Sequence, residues 1–267
     1  MPPRVNRVHG PLDRGAAAWY HELPPLTKGL LTVYLVTGLG AWARVMPLKY
    51  IYHDWGLVFK RVPEVWRLAT NFTVAGFPSS PWLFRLIWLV IYGGSYETSK
   101  FAANTADGLM MLFVGLCTCM SFDLFSFVAG SFIPRVAVLS SSYHGSATVF
   151  QFVYLWSKQN SNALISLYGF ININGRHLPV AFLALDLLMG GDIWSDIMGI
   201  FMGHMYWFLT EVYPMASGRT VVRTPIWLVR LCLRYGIGRV PIQAAALDNP
   251  NDVRFRAFQG RARRLAD

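Results

Sequence analysis

Apolar residues in this chain gather into six runs, at roughly Gly29–Met46, Pro81–Tyr96, Thr105–Phe122, Gly145–Trp156, Leu178–Gly190 and Ile193–Tyr213. Coiled as helices, they are long enough to cross, or nearly cross, a hydrocarbon layer of about 30 Å. Composition points the same way: 54% of residues are apolar and only 14% charged, against about a quarter charged in soluble domains. The expected fold class is an all-α polytopic membrane protein whose partner is the lipid bilayer.

An even number of crossings puts both ends on one side. Beyond Pro214 the chain holds Arg219, Arg223, Arg230, Arg234, Arg239, Arg254, Arg256, Arg261, Arg263 and Arg264 against Asp248, Asp252 and Asp267. The positive-inside rule therefore places both termini in the cytosol. The net charge of +10 gathers in this tail rather than on a folded face, so it does not indicate nucleic acid. Lys49, Lys60, Arg61 and Arg67 break the rule in the loop between the first two runs, where aromatic residues, Leu and Val recur among the charges. That pattern suits short amphipathic helices in the interface, with cations reaching the headgroups.

Four organisational segments follow: a cytosolic N-terminal stretch 1–28, a six-helix membrane domain 29–213, an interfacial cytosolic helix 214–235 and a disordered tail 236–267. The first stretch has arginines but no apolar core of a cleavable signal, and Pro2, Pro3 and Pro11 disfavour the amphipathic helix of a mitochondrial presequence. Arg230 and Arg234 lie four apart on one helical face, which favours the interface over a seventh crossing. Leu178–Met189 would cover only about 18 Å, so flanking residues extend the helix or the bilayer thins to meet it. Arg85, Asp107, Asp123 and Asp186 intrude into or beside the apolar runs, where polar groups line a cavity or pair with one another. Cys117 and Cys119, two apart in an apolar run, match neither disulfide nor metal spacing, and with Cys232 they read as small buried residues. No metal or cofactor is expected.

Several stretches resemble the Derlin family, the rhomboid-like pseudoproteases of the endoplasmic reticulum. They are LPPLTKGLL at Leu23–Leu31, VWRLATNF at Val65–Phe72, GIFMGHMYWFLTEVYP at Gly199–Pro214, and RTPIWL before the tail. A longer connection near Ile133–Tyr143 departs from the family pattern. The resemblance implies a rhomboid-like six-transmembrane bundle with an interfacial first loop. It also implies residence in the endoplasmic reticulum membrane and a role in retrotranslocating misfolded clients, beside a membrane ubiquitin ligase or as a homo-oligomer. Trp66 and Arg67 form the loop-one pair of that pattern, with Asn71 satisfying backbone groups at a helix end. Gly199 and Gly203, one helical turn apart, make a groove for close helix approach. Arg85 and Asp186 become candidates for a client cavity.

The rival reading is an active rhomboid protease, with Ser146 in span four as nucleophile and His204 in span six as base. Its motif is incomplete: Ala147 follows Ser146 where a rhomboid has Gly. Tyr92, Gly93, Gly94 and Glu97 keep the landmarks of span two, but Pro81 and Arg85 occupy the places of the oxyanion donors, whose loss costs about 10²–10³ in rate each. The expectation is a non-catalytic scaffold.

Near the C-terminus the chain reads FQGRARRL. This resembles the SHP box, Phe-x-Gly-x-Gly-x-x-Leu, through which Derlins recruit the AAA ATPase valosin-containing protein. On that pattern Phe258 and Leu265 are anchors, Gly260 permits close approach, Arg264 adds charge, and Ala262 replaces the second Gly.

Overall fold

The computed structural model describes residues 16–61, 63–130, 142–167 and 171–238. A short helix α1 (Ala16–Glu22) leads into α2 (Pro25–Trp42), and Pro25 suits a first turn because the proton that proline lacks would have no intrahelical acceptor there. Loop one then holds two short helices, α3 (Trp55–Val58) and α4 (Arg67–Thr70), flanked by 3₁₀ turns at Leu48–Tyr50 and Asn71–Thr73. The following helices are α5 (Ser80–Trp88), α6 (Gly94–Lys100), α7 (Thr105–Gly130) and α8 (Gly145–Gln159). After them come α9 (Leu178–Leu188), α10 (Ile193–Trp207), α11 (Tyr213–Ser217) and α12 (Ile226–Tyr235).

All six apolar runs fold as helix, but with unequal reach. Only α7, among the described residues, combines the length and apolarity of an unbroken membrane-crossing helix. The second and sixth runs are each interrupted by a π-helical turn, Leu89–Gly93 between α5 and α6 and Phe208–Val212 between α10 and α11. The 15 residues of α8 and 11 of α9 reach about 22 and 16 Å.

The all-α expectation needs one correction. Between α8 and α9, strands β1 (Leu164–Leu167) and β2 (Ile171–Asn174) pair antiparallel, with Leu164 opposite Asn174. Ile165 and Ile173 face each other and pack on the core. The Ile-Asn-Ile-Asn alternation carried that signal, since period two is the strand period.

The central helix is α8, buried along almost its whole length. Around it, Trp88 of α5 stacks on Phe182 of α9 with centroids 4.2 Å apart and meets Phe150 of α8 edge-on at 5.9 Å, the two arrangements that aromatic quadrupoles favour. The start of α2 is fixed from α6. The buried Glu97 carboxylate accepts from the backbone N–H groups of Leu26 and Thr27 and from the Thr27 hydroxyl, each at 2.8 Å. These are N–H groups that a first helical turn leaves without an intrahelical acceptor, and an anion there also meets the positive end of the helix dipole.

Helix α12 buries Leu228, Val229 and Cys232 against Ala106 of α7 and keeps Arg230 and Arg234 exposed. Cys119 and Cys232 are buried as expected, whereas Cys117 is exposed. Most of the Ile133–Tyr143 connection and the whole FQGRARRL peptide lie outside the described residues.

Candidate functional site

Polar side chains that the apolar runs could not leave in contact with hydrocarbon collect at one end of the bundle, under loop one. Arg85 on α5 is the first focus. Its Nη2 donates to Asp186 Oδ2 at the end of α9 and lies 3.4 Å from Asp196 Oδ1 in the first turn of α10, while Nη1 lies 3.4 Å from the Ala75 carbonyl oxygen. All three ionisable side chains are buried. A planar guanidinium can serve several acceptors from one fixed fork, which lysine could not do. The turn that brings α9 and α10 together needs Gly190 in the left-handed region, at φ 80°, followed by Gly191, where a Cβ would lie 1.7 Å from Asp186 Oδ2. Arg85 and Asp186 are thus paired with each other and closed to solvent, so the polar intrusions form an ion cluster here rather than an open cavity wall. Asp107 is likewise engaged, accepting from Asn104 Nδ2 at 2.8 Å and from the Thr224 hydroxyl.

Ser146 and His204 are not brought together. Ser146, in the first turn of α8, shares a hydrogen bond of 2.5 Å with Ser195 in the first turn of α10. His204 is exposed, near the other end of α10, and its Nδ1 lies 2.7 Å from the Tyr154 hydroxyl. Tyr154 sits eight residues beyond Ser146 on the same helix, about 12 Å along the axis. The two helices run so close that Gly199 and Gly203 face α8 directly. A Cβ at 199 would lie 2.3 Å from the Ala147 carbonyl oxygen, and one at 203 would lie 2.8 Å from the Tyr154 ring.

Loop one is held by its Trp-Arg pair. Half-exposed Trp66 donates from Nε1 to the Tyr50 carbonyl at 3.3 Å. Buried Arg67 donates to the Tyr52 carbonyl at 2.8 Å and to Glu64 Oε2 at 2.6 Å, and its guanidinium lies over the Tyr52 ring. Asn71 ends α4, donating to the Arg67 carbonyl at 2.7 Å, and its own carbonyl accepts the His144 N–H at 3.2 Å. His144 then faces Asp123 of α7, Nε2 to Oδ2, at 2.8 Å, and His53 of loop one lies beside it. Burial pulls the His53 imidazole below its ordinary pKa, with the nearby Asp123 carboxylate acting in the opposite direction, so the ring is held toward its neutral form.

Comparison with known proteins decides the family. The model of the Der1-like family matches residues 23–226. The chain belongs to the Der1-like family. It is 32% identical over 252 residues to "Derlin-1.1" of Zea mays, covering 93% of this chain and 98% of that one. It is 34% identical over 220 residues to "Derlin-1" of Arabidopsis thaliana, covering 82% and 78%. With "Derlin-2.1" of Arabidopsis thaliana it shares 32% over 239 residues, covering 89% and 93%.

Within this Der1-like chain, sequence reasoning missed Ser195, Asp196, His53 and His144 as members of the buried polar layer. Asp196 had a signal, since an acidic residue three before Gly199 lies on nearly the same helical face. The others had none, because their partners come from distant elements. Phe258, Gly260, Arg264 and Leu265 lie outside the described residues.

Proposed function

We propose that this Der1-like protein is a non-catalytic membrane scaffold that moves misfolded proteins from the endoplasmic reticulum toward the cytosol. Six helical spans with both termini cytosolic would put loop one and the buried polar layer on the lumenal side. Short helices α8 and α9, well under the usual 30 Å, support a locally thinned bilayer at the point of client entry. A lateral opening between the second and fifth spans would admit the client. The tail would recruit valosin-containing protein through Phe258, Gly260, Arg264 and Leu265, beside a membrane ubiquitin ligase or within a homo-oligomer.

The observation that carries the non-catalytic part is the pairing of Ser146 with Ser195 rather than with a base. A serine hydroxyl becomes a competent nucleophile when a neighbouring base takes its proton, and a second hydroxyl is far too weak a base at neutral pH. Arg85, at the place of an oxyanion donor, is committed to two carboxylates.

Two experiments test the reading. Purified protein incubated with a transmembrane model substrate yields no product; cleavage that depends on Ser146 overturns it. Phe258→Ala with Leu265→Ala abolishes co-precipitation of the ATPase and leaves membrane insertion intact; persistent binding overturns the role given to the tail.

A further inference from the structure

We propose that Cys119, Asp123 and His144, completed by His53, form a structural binding site for a zinc-type divalent cation. Cys119 and Asp123 lie one helical turn apart on α7, on the same face, and His144 immediately precedes α8. All three side chains are buried, and their ligand atoms lie within 4.8 Å of one another. Metal spacing is lacking between Cys117 and Cys119 along the sequence. The set that the fold assembles draws on α7, the start of α8 and loop one.

A second observation points to a ligand. Both Asp123 oxygens, His144 Nδ1 and both nitrogens of His53 are buried without a hydrogen-bond partner. The 2.8 Å approach of His144 Nε2 to Asp123 Oδ2 is close enough for an ion pair but lacks hydrogen-bond geometry. Buried polar atoms are nearly always satisfied, so this many in one place calls for a shared partner. A cation accepting one lone pair from each imidazole and one or both from the carboxylate would engage all three residues at once, leaving the second ring nitrogen of each histidine as an N–H donor. His53 lies beside the Cys119, Asp123 and His144 group rather than within it, its ring centroid 5.9 Å from that of His144 and its backbone N–H donating to the Ser142 carbonyl at 2.9 Å.

Donor chemistry selects the ion. A thiolate, two imidazoles and one carboxylate suit borderline-soft zinc, whereas magnesium and calcium take oxygen ligands. Bond lengths of about 2.0–2.3 Å set tetrahedral edges of about 3.3–3.8 Å. The widest core separation, at most 4.8 Å, would close by about 1 Å on binding while His144 Nε2 and Asp123 Oδ2, 2.8 Å apart, would open by about 0.5 Å, with His53 turning toward them. Trp55 packs edge-on against His53 at 4.8 Å and Phe72 lies 5.5 Å from His144, an apolar shell that keeps water out. Four protein ligands leave no open position, as in structural rather than catalytic zinc sites. The ion would pin loop one to α7 and α8, and this holds whether or not the protein moves clients.

The test uses the full chain in mild detergent. Protein from zinc-supplemented culture should carry about one zinc per chain, with X-ray absorption showing one sulfur at about 2.3 Å. Cobalt exchanged into the site should give a near-ultraviolet thiolate charge-transfer band. Cys119→Ser should remove that band, and Cys119→Ser and His53→Gln should each weaken zinc binding at least about tenfold, since even supporting residues around metal ligands are worth 10–100-fold. Cys117→Ser, exposed and two residues away, should change neither. Substoichiometric zinc, no sulfur scatterer, or a band that survives Cys119→Ser overturns the proposal. The absorption measurement on the unsubstituted protein decides the matter even if Cys119→Ser fails to fold.

Discussion

The hydroxyl oxygens of Ser146 and Ser195 lie 2.5 Å apart in the buried contact between the first turns of α8 and α10. His204 is bound instead to Tyr154, at a different level of the same helix pair. A catalytic dyad would make Ser146 and His204 energetically interdependent, whereas residues with separate partners act independently.

The first prediction follows. Ser146→Ala should cost about 1 kcal/mol, the usual net value of a hydrogen bond. Combined with His204→Ala, the two effects on thermal unfolding in detergent should add to within about 0.5 kcal/mol. A clearly larger coupling would mean that the two side chains communicate directly.

Arg85 gives a larger effect. Arg85→Ala leaves Asp186 and Asp196 buried without their cation, and breaking a buried ion pair from one side costs about 3–5 kcal/mol. Arg85→Leu together with Asp186→Asn and Asp196→Asn should recover most of that loss, because no uncompensated charge remains. Thermal unfolding of the single and triple variants in one detergent makes the comparison; a triple variant no more stable than Arg85→Ala contradicts the charge argument.

What the sequence made legible was periodic or local. The six helical runs and the short fifth run follow from residue spacing, and the Asn71 helix end from the hydrogen-bonding capacity of an amide. Gly199 and Gly203 were readable because two glycines one turn apart leave a groove whichever helix fills it. The partners of polar residues were not readable: Arg85 lies 101 residues from Asp186 and 111 from Asp196, so their meeting depends on how α5, α9 and α10 pack. The β-hairpin escapes a sequence reading because only one of its strands, Ile-Asn-Ile-Asn, alternates, and four residues carry little weight beside long apolar runs. The π-helical turns had no sequence signal that distinguished them from α-helix.

The two groove glycines should respond differently. A methyl at position 199 would meet the Ala147 carbonyl oxygen at 2.3 Å, and backbone cannot move without shifting α8. At position 203 the nearest atom is the edge of the Tyr154 ring at 2.8 Å, which can rotate away. Overpacking costs about 1–3 kcal/mol, so Gly199→Ala should fall at the upper end or beyond and Gly203→Ala at the lower end. Midpoints of thermal unfolding rank them, and the reverse order would show that the helix contact is set elsewhere.

Glu97 offers the last prediction, because one carboxylate closes the start of a helix seventy residues away. Oε1 accepts from Leu26 N–H, and Oε2 accepts from both Thr27 N–H and the Thr27 hydroxyl. Hydrogen bonds to a charged acceptor contribute about 1.5–3 kcal/mol each when lost. Glu97→Gln keeps one acceptor oxygen but turns an amide NH₂ toward donors that need an acceptor, so it should destabilise despite its matching shape. Glu97→Ala frees the same donors without adding a competing one, yet it also removes the anion that favours the positive end of α2. Both variants should speed hydrogen exchange at the Leu26 and Thr27 amides before any change appears at α8. Thr27→Val isolates the hydroxyl: it should cost about one neutral-to-charged bond while leaving both backbone contacts in place. If exchange at Leu26 and Thr27 is unaltered in Glu97→Ala, the helix start is held by Pro25 and packing alone, and the carboxylate contributes nothing to it.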